Sequence, residues 1–147
     1  MTIRLSRTLA AAIAMCAAGT TLAIAPAASA TPAHSRSVLV NCAGKATVKP
    51  KRFTIACADG NDYLARLKWS HWRATANGRG NDWINSCNPT CVAGKFHKFR
   101  ARVRLWRPRA RPHHPGQRYF TRMTLTYTHA VPKGYHRRRT IRLWAKA

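Results

Sequence analysis

The chain contains no glutamate, and its only aspartates are Asp59, Asp62 and Asp82. So few carboxylates nearly exclude a glycosidase-like acid pair or a hard-cation cluster, since Ca²⁺ takes roughly 6–8 oxygen ligands. After the N-terminus no apolar run approaches the ~18 residues of a spanning helix, which excludes a later membrane helix. No amphipathic helical pattern occurs after residue 30, and there is no internal repeat and no second domain. No C-x-x-C pair speaks for redox chemistry, and no G-x-S-x-G frames a serine nucleophile. No cofactor and no metal are expected. What is abundant is positive charge: 27 Lys+Arg in 147 residues, a formal net charge of +24, beside a hydrophobic fraction of 46% that argues against a wholly disordered polycation.

Residues 1–30 read as a secretory signal peptide. Arg4 and Arg7 form a basic start, Thr8 to Ala25 an apolar stretch, and Ala28-Ser29-Ala30 a small-residue cleavage signal. The arginines are not adjacent, so the twin-arginine signal is absent, and Met15 before Cys16 makes a poor lipobox. Cleavage after Ala30 removes Arg4 and Arg7, leaving 117 residues with 25 Lys+Arg against 3 Asp, a net +22. Residues 31–36 are expected to form a flexible arm and 37–147 a single disulfide-linked β domain. The expected location is secreted, with cell-wall association open.

Cys42, Cys57, Cys87 and Cys91 remain after export, an even number in a small secreted chain, which reads as two disulfides. Three pairings are possible. Cys42–Cys57 and Cys87–Cys91 are favoured, the first joining the ends of neighbouring strands and the second closing a short loop around Pro89. Cys87, Cys91 and His97 also form a C-x3-C-x5-H run of zinc type; export favours the disulfide.

The mature chain alternates with period two. Phe99, Ala101, Val103 and Leu105 oppose Arg100, Arg102, Arg104 and Trp106, and Tyr119–Tyr127 and Arg139–Ala145 repeat the pattern. In Tyr63–Trp69 the alternation sets Tyr63, Ala65, Leu67 and Trp69 against Leu64, Arg66 and Lys68. Shorter strands are expected at Val38–Asn41, Arg52–Cys57 and Trp72–Asn77, with turns at Asp59-Gly60-Asn61, Asn77-Gly78, Pro89, His114-Pro115-Gly116 and Pro132-Lys133-Gly134. Arg107–Gly116 is Pro-rich and basic, and is expected to be a mobile hairpin tip. The predicted fold is all-β, a small antiparallel β-sandwich or barrel of about seven strands with two disulfides.

The motifs Cys42-x-Gly44, Cys57-x-Asp59-Gly60, Leu67-x-Trp69-x-x-Trp72 and Cys87-x-Pro89-x-Cys91-x-x-Gly94, with Pro50 and the strand ending at Tyr127, resemble those of a group of small secreted actinobacterial proteins without assigned activity. The resemblance covers roughly residues 38–128. It implies secretion and a compact disulfide-linked domain, and it transfers no functional residue. The arginine density from residue 98 onward is heavier than in that group.

Candidate binding residues are Arg100, Arg102, Arg104, Arg107, Arg109 and Arg111, with Trp106 as a stacking platform. Alternate strand residues share a face about 6.8 Å apart, and guanidinium groups bind phosphate and carboxylate in forked geometry. Interleaved aromatics suit stacking on bases or sugars. Arg137, Arg138 and Arg139 add charge near the C-terminus. Trp106 and Trp144 fall on polar faces, which makes an exposed aromatic pair conceivable beside the alternative of a second apolar cluster. Asp59-Gly60-Asn61-Asp62 has the look of a calcium loop, but a turn or an Asp–Arg pair fits two aspartates better. Seven histidines and Ser70-His71 near an Asp invite a triad or a two-His phosphodiesterase, yet no spacing brings them together. The expected function is a secreted cationic binding protein for extracellular anionic polymers: nucleic acid, a phosphate-rich wall polymer or an acidic polysaccharide. A secreted antibacterial protein, a small phosphodiesterase or ribonuclease, and a structural envelope protein are the alternatives.

Overall fold

A computed structural model describes residues 36–144. The expected signal peptide at 1–30, the arm up to residue 35 and the chain end from residue 145 lie outside the described residues. The described chain is all strand. β1 (Leu39–Val40) and β2 (Ala46–Thr47) form a two-stranded sheet. β3 (Arg52–Thr54), β4 (Asp62–Trp72), β5 (Ala76–Asn85), β6 (Phe96–Ala110), β7 (Arg118–Tyr127) and β8 (Arg138–Arg142) form a six-stranded antiparallel sheet in chain order. Each strand pairs with its successor, the simplest topology for short connections.

One face of this curled sheet closes on a single core. Leu64, Leu67 and Trp72 of β4, Val103 and Leu105 of β6, and Met123 and Leu125 of β7 are buried there with Leu39, Phe53, Phe120 and Leu143. Burying each large apolar side chain contributes about 1.5–3 kcal/mol. The β1–β2 hairpin is fastened over the core. Leu39 is fully buried, Trp72 Nε1 donates to the Ser37 carbonyl at 2.7 Å, and Val38 bridges Tyr119 in parallel. Cys42–Cys57 (Cα–Cα 5.4 Å) ties the hairpin's turn to the segment after β3, so the disulfide joins the two sheets rather than two paired strands.

The other disulfide, Cys87–Cys91, lies in the β5–β6 connection. Asn85 organises that loop: its Nδ2 donates to Asn61 Oδ1 (2.9 Å) and to the Cys91 carbonyl (2.7 Å), and its Oδ1 accepts from the Cys87 N–H (3.0 Å). The two sulfurs are bonded to each other and are not presented to a metal with His97.

Four expectations are corrected. In β4 the pairing register shifts between Ala65 and Lys68 and again between Trp69 and His71, with Arg66 at φ 54°. Each extra residue reverses the parity of the strand residues beyond it. Leu64 therefore faces the core together with Leu67 and Trp72, and strict alternation over Tyr63–Trp69 fails.

Trp72–Asn77 is not one strand: β4 ends at Trp72, residues 73–75 turn with the Arg73 N–H bonded to the Thr75 carbonyl at 2.7 Å, and β5 begins at Ala76. Asn77-Gly78, expected as a turn, lies inside β5. The reason is space: a Cβ on Gly78 would sit 2.8 Å from both the Lys68 carbonyl oxygen and Trp69 Cε3.

β6 runs on through Ala110, so Arg107–Ala110 of the segment expected to be a mobile tip are strand, and residues 111–116 lie in the β6–β7 connection. Pro108 is tolerated because β5 pairs with β6 only as far as Leu105. Beyond that point β6 has one neighbour and needs no second ladder of N–H donors.

Candidate functional site

Alternation places the even-numbered residues of central β6 on the face away from the core. Arg100, Arg102 and Arg104 are exposed there. Register then supplies neighbours that the sequence does not reveal. Arg102 is paired with Arg79 of β5 and Thr126 of β7, Arg104 with Asn77 and Thr124, and Arg100 with Asn81. Arg79 is paired in turn with Lys68 of β4.

Short side chains between these long cations leave a depression of about 560 Å³. It is lined by Lys68, Ser70, Asn77, Arg79, Arg102, Arg104, Thr124 and Thr126. A second hollow of about 430 Å³ shares Lys68, Arg79 and Arg102 with it and reaches Arg66, Asn81, Arg100 and Thr128. Together they make a shallow cationic trough across β4–β7.

The other candidates lie elsewhere. Arg107 and Arg109 are exposed, but on the two-stranded extension of β6 and β7 past the last β5 pairing. Arg111 is part-buried and already committed, donating to Gln117 Oε1 (2.6 Å) and to the Gly44 carbonyl (2.6 Å). Trp106 is half-buried, its Nε1 donating to Thr124 Oγ1 at 3.0 Å. Arg100, Arg102 and Arg104 thus act with Arg79 and Lys68, whereas Arg111 acts as a loop anchor.

Aromatic–arginine groups stand at both ends of this face. At one end Tyr63 and Trp83 lie nearly parallel (centroids 6.3 Å, 10°), and Phe96 tilts against Tyr63 at 5.4 Å. The Arg52 guanidinium sits 3.8 Å above the Tyr63 ring. At the other end Trp106, Arg122 and Arg142 are successive cross-strand neighbours, and Arg142 lies 5.1 Å over Trp144.

The acidic residues are withdrawn from the trough. Asp59 accepts the Asn61 N–H at 3.1 Å in the β3–β4 turn, and that bond lowers its pKa. Asp62 and Asp82 are buried, so no calcium loop forms at 59–62. Asp62 is paired with Arg139 of β8. Asp82 Oδ2 accepts the Tyr127 hydroxyl at 2.7 Å and lies 4.0 Å from Arg139 Nη1. Burial, then the nearby Asp62 charge, push Asp82 up to about 7. Tyr127 is raised by its burial and by Asp82. For Arg139, burial opposes the charge, but the bond to Asp62 outweighs it and the pKa rises. This interior cluster sets two carboxylates against one guanidinium and has no cation to spare.

Ser70 Oγ donates to the Asn77 carbonyl at 3.2 Å, so neither it nor Asp59 is disposed toward His71 as a triad. Among the described residues no group of three His, Cys, Asp or Glu side chains is placed to hold a metal ion, and no helix is long and apolar enough to cross a membrane. Compared with protein families, curated proteins and solved structures, the chain matches none.

Proposed function

We propose that this protein is a secreted cationic binding protein for extracellular anionic polymers, and that the trough across β4–β7 is where they bind. One observation carries the reading: six cations (Arg66, Lys68, Arg79, Arg100, Arg102 and Arg104) converge on one face. The two aspartates nearest in sequence to these strands are turned into the interior and paired with Arg139 and Tyr127. Unneutralised charge of one sign in a shallow trough attracts a polyanion, and binding releases that polymer's condensed counterions. The guanidinium groups add forked hydrogen bonds to phosphate or carboxylate.

The test is a salt series. Binding of duplex DNA, a teichoic-type phosphate polymer and an acidic polysaccharide should weaken log-linearly with salt. Replacing Arg100, Arg102 and Arg104 together by Gln should lower the slope by about 2–3, since each neutralised phosphate contributes roughly 0.7–0.9. An unchanged slope removes the trough as the site.

A further inference from the structure

We propose that the occupant of this face is a single-stranded nucleic acid, its phosphates in the trough and its bases stacked on Phe96 and Trp144. The inference rests on the polyanion reading and adds an apolar component to it. Along β6 the outward row reads Phe96, Lys98, Arg100, Arg102, Arg104, Trp106, four cations bounded by aromatics over about 33 Å. Phe96 is 41% exposed and Trp144 is 70% exposed. Neither is needed to fill the core, and each is backed by a fixed group: Phe96 by Tyr63, Trp144 by the Arg142 guanidinium.

Charge alone would be served by lysines and arginines, and exposed rings at both ends of a cationic track gain nothing from a bare phosphate chain. They gain from a polymer carrying a flat π-face beside each charge, and only an unpaired strand offers its base faces, because a duplex has them stacked inside. The uncharged groups between the cations, Ser70, Asn77 and Thr126, can serve sugar hydroxyls and base edges.

The experiment compares four polymers on the oxidised protein across a salt series: an oligo(dT) of about 12 nucleotides, a duplex of equal length, inorganic polyphosphate and an acidic polysaccharide. Oligo(dT) should bind tightest, retain measurable affinity at ~1 M salt, and quench tryptophan emission, with the quench reduced in Trp144→Phe. Phe96→Ala and Trp144→Ala should each weaken oligo(dT) about fivefold or more and leave polyphosphate binding within about twofold.

Equal binding of oligo(dT) and polyphosphate, with neither substitution discriminating, overturns the stacking inference and leaves the polyanion reading intact. Duplex or polysaccharide held tighter than oligo(dT) overturns it in favour of that polymer. Failure of all four to bind removes the polyanion reading itself. Both substituted positions are exposed, so folding is not at stake, and an unfolding midpoint matched to the parent verifies this.

Discussion

Tyr127 of β7 donates its hydroxyl to Asp82 of β5 across the intervening strand β6, at 2.7 Å and buried from solvent. That bond and the Asp62–Arg139 pair place two carboxylates near one guanidinium, and a single cation does not neutralise both. Burial and Asp62 hold Asp82 up at about 7, against the usual 3.8 of an exposed chain.

The folded state therefore binds more protons than the unfolded state between about pH 4 and 7, and linkage makes stability fall as pH rises through that window. Unfolding by urea should show a higher midpoint at pH 5 than at pH 8. Asp82→Asn keeps an acceptor for Tyr127 and mimics the protonated acid, so its midpoint should be nearly level over the same range. A parent protein more stable at pH 8 than at pH 5 would contradict this account.

Arg139 is the sole cation in that cluster, and it joins edge strand β8 to the body of the sheet. Arg139→Met leaves two buried carboxylates without a counter-charge, which should cost about 3–5 kcal/mol by urea unfolding at pH 8. The loss should shrink at pH 5, where protonation relieves the repulsion. Combining it with Asp62→Asn and Asp82→Asn should restore most of the stability. If the triple variant is no better than Arg139→Met, the arginine acts through packing of its stem and not through charge.

Period two was legible wherever the ladder is regular, as in Phe99–Trp106 and Tyr119–Tyr127. It failed at β4 because the bulge at Arg66 reverses parity between Leu64 and Leu67. It failed at β5 because the core-facing positions after Ala76 are Gly78, Gly80 and Asp82, which carry no apolar signal. The arginine row was visible as a sequence pattern. Its partners Arg79 and Lys68 were not, since they reach it only through register across two strand pairs. Arg111 illustrates the converse: charge in a basic run gave no hint that the guanidinium is tied to Gly44 and Gln117.

Gly78 and Gly80 have no side chain because β4 lies too close. A Cβ on Gly80 would come 2.9 Å from the Ala65 carbonyl oxygen and from Leu67 Cδ2. Gly→Ala inside a strand ordinarily helps by restricting the unfolded chain. Here the backbone of the bulged β4 cannot recede, so Gly78→Ala should destabilise by about 1–3 kcal/mol. Thermal or urea unfolding decides the sign, and a neutral or stabilising result would mean that the β4–β5 contact is looser than these distances.

The two disulfides close loops of unequal length, with sequence separations of 15 and 4. In the chain-entropy account the longer loop restricts the unfolded state more. Replacing Cys42 and Cys57 by Ser should cost about 3 kcal/mol, and replacing Cys87 and Cys91 about 2 kcal/mol. The native-state consequences differ in the same direction. Cys42–Cys57 holds the hairpin that carries Leu39 into the core, so its loss should also expose apolar surface, seen as dye binding below the unfolding midpoint. Cys87–Cys91 sits in a loop that Asn85 organises through three further hydrogen bonds. Its loss should leave the sheet closed and dye binding at the parent's level. A larger cost for the shorter loop would show that strain or loop contacts, rather than chain entropy, set the order.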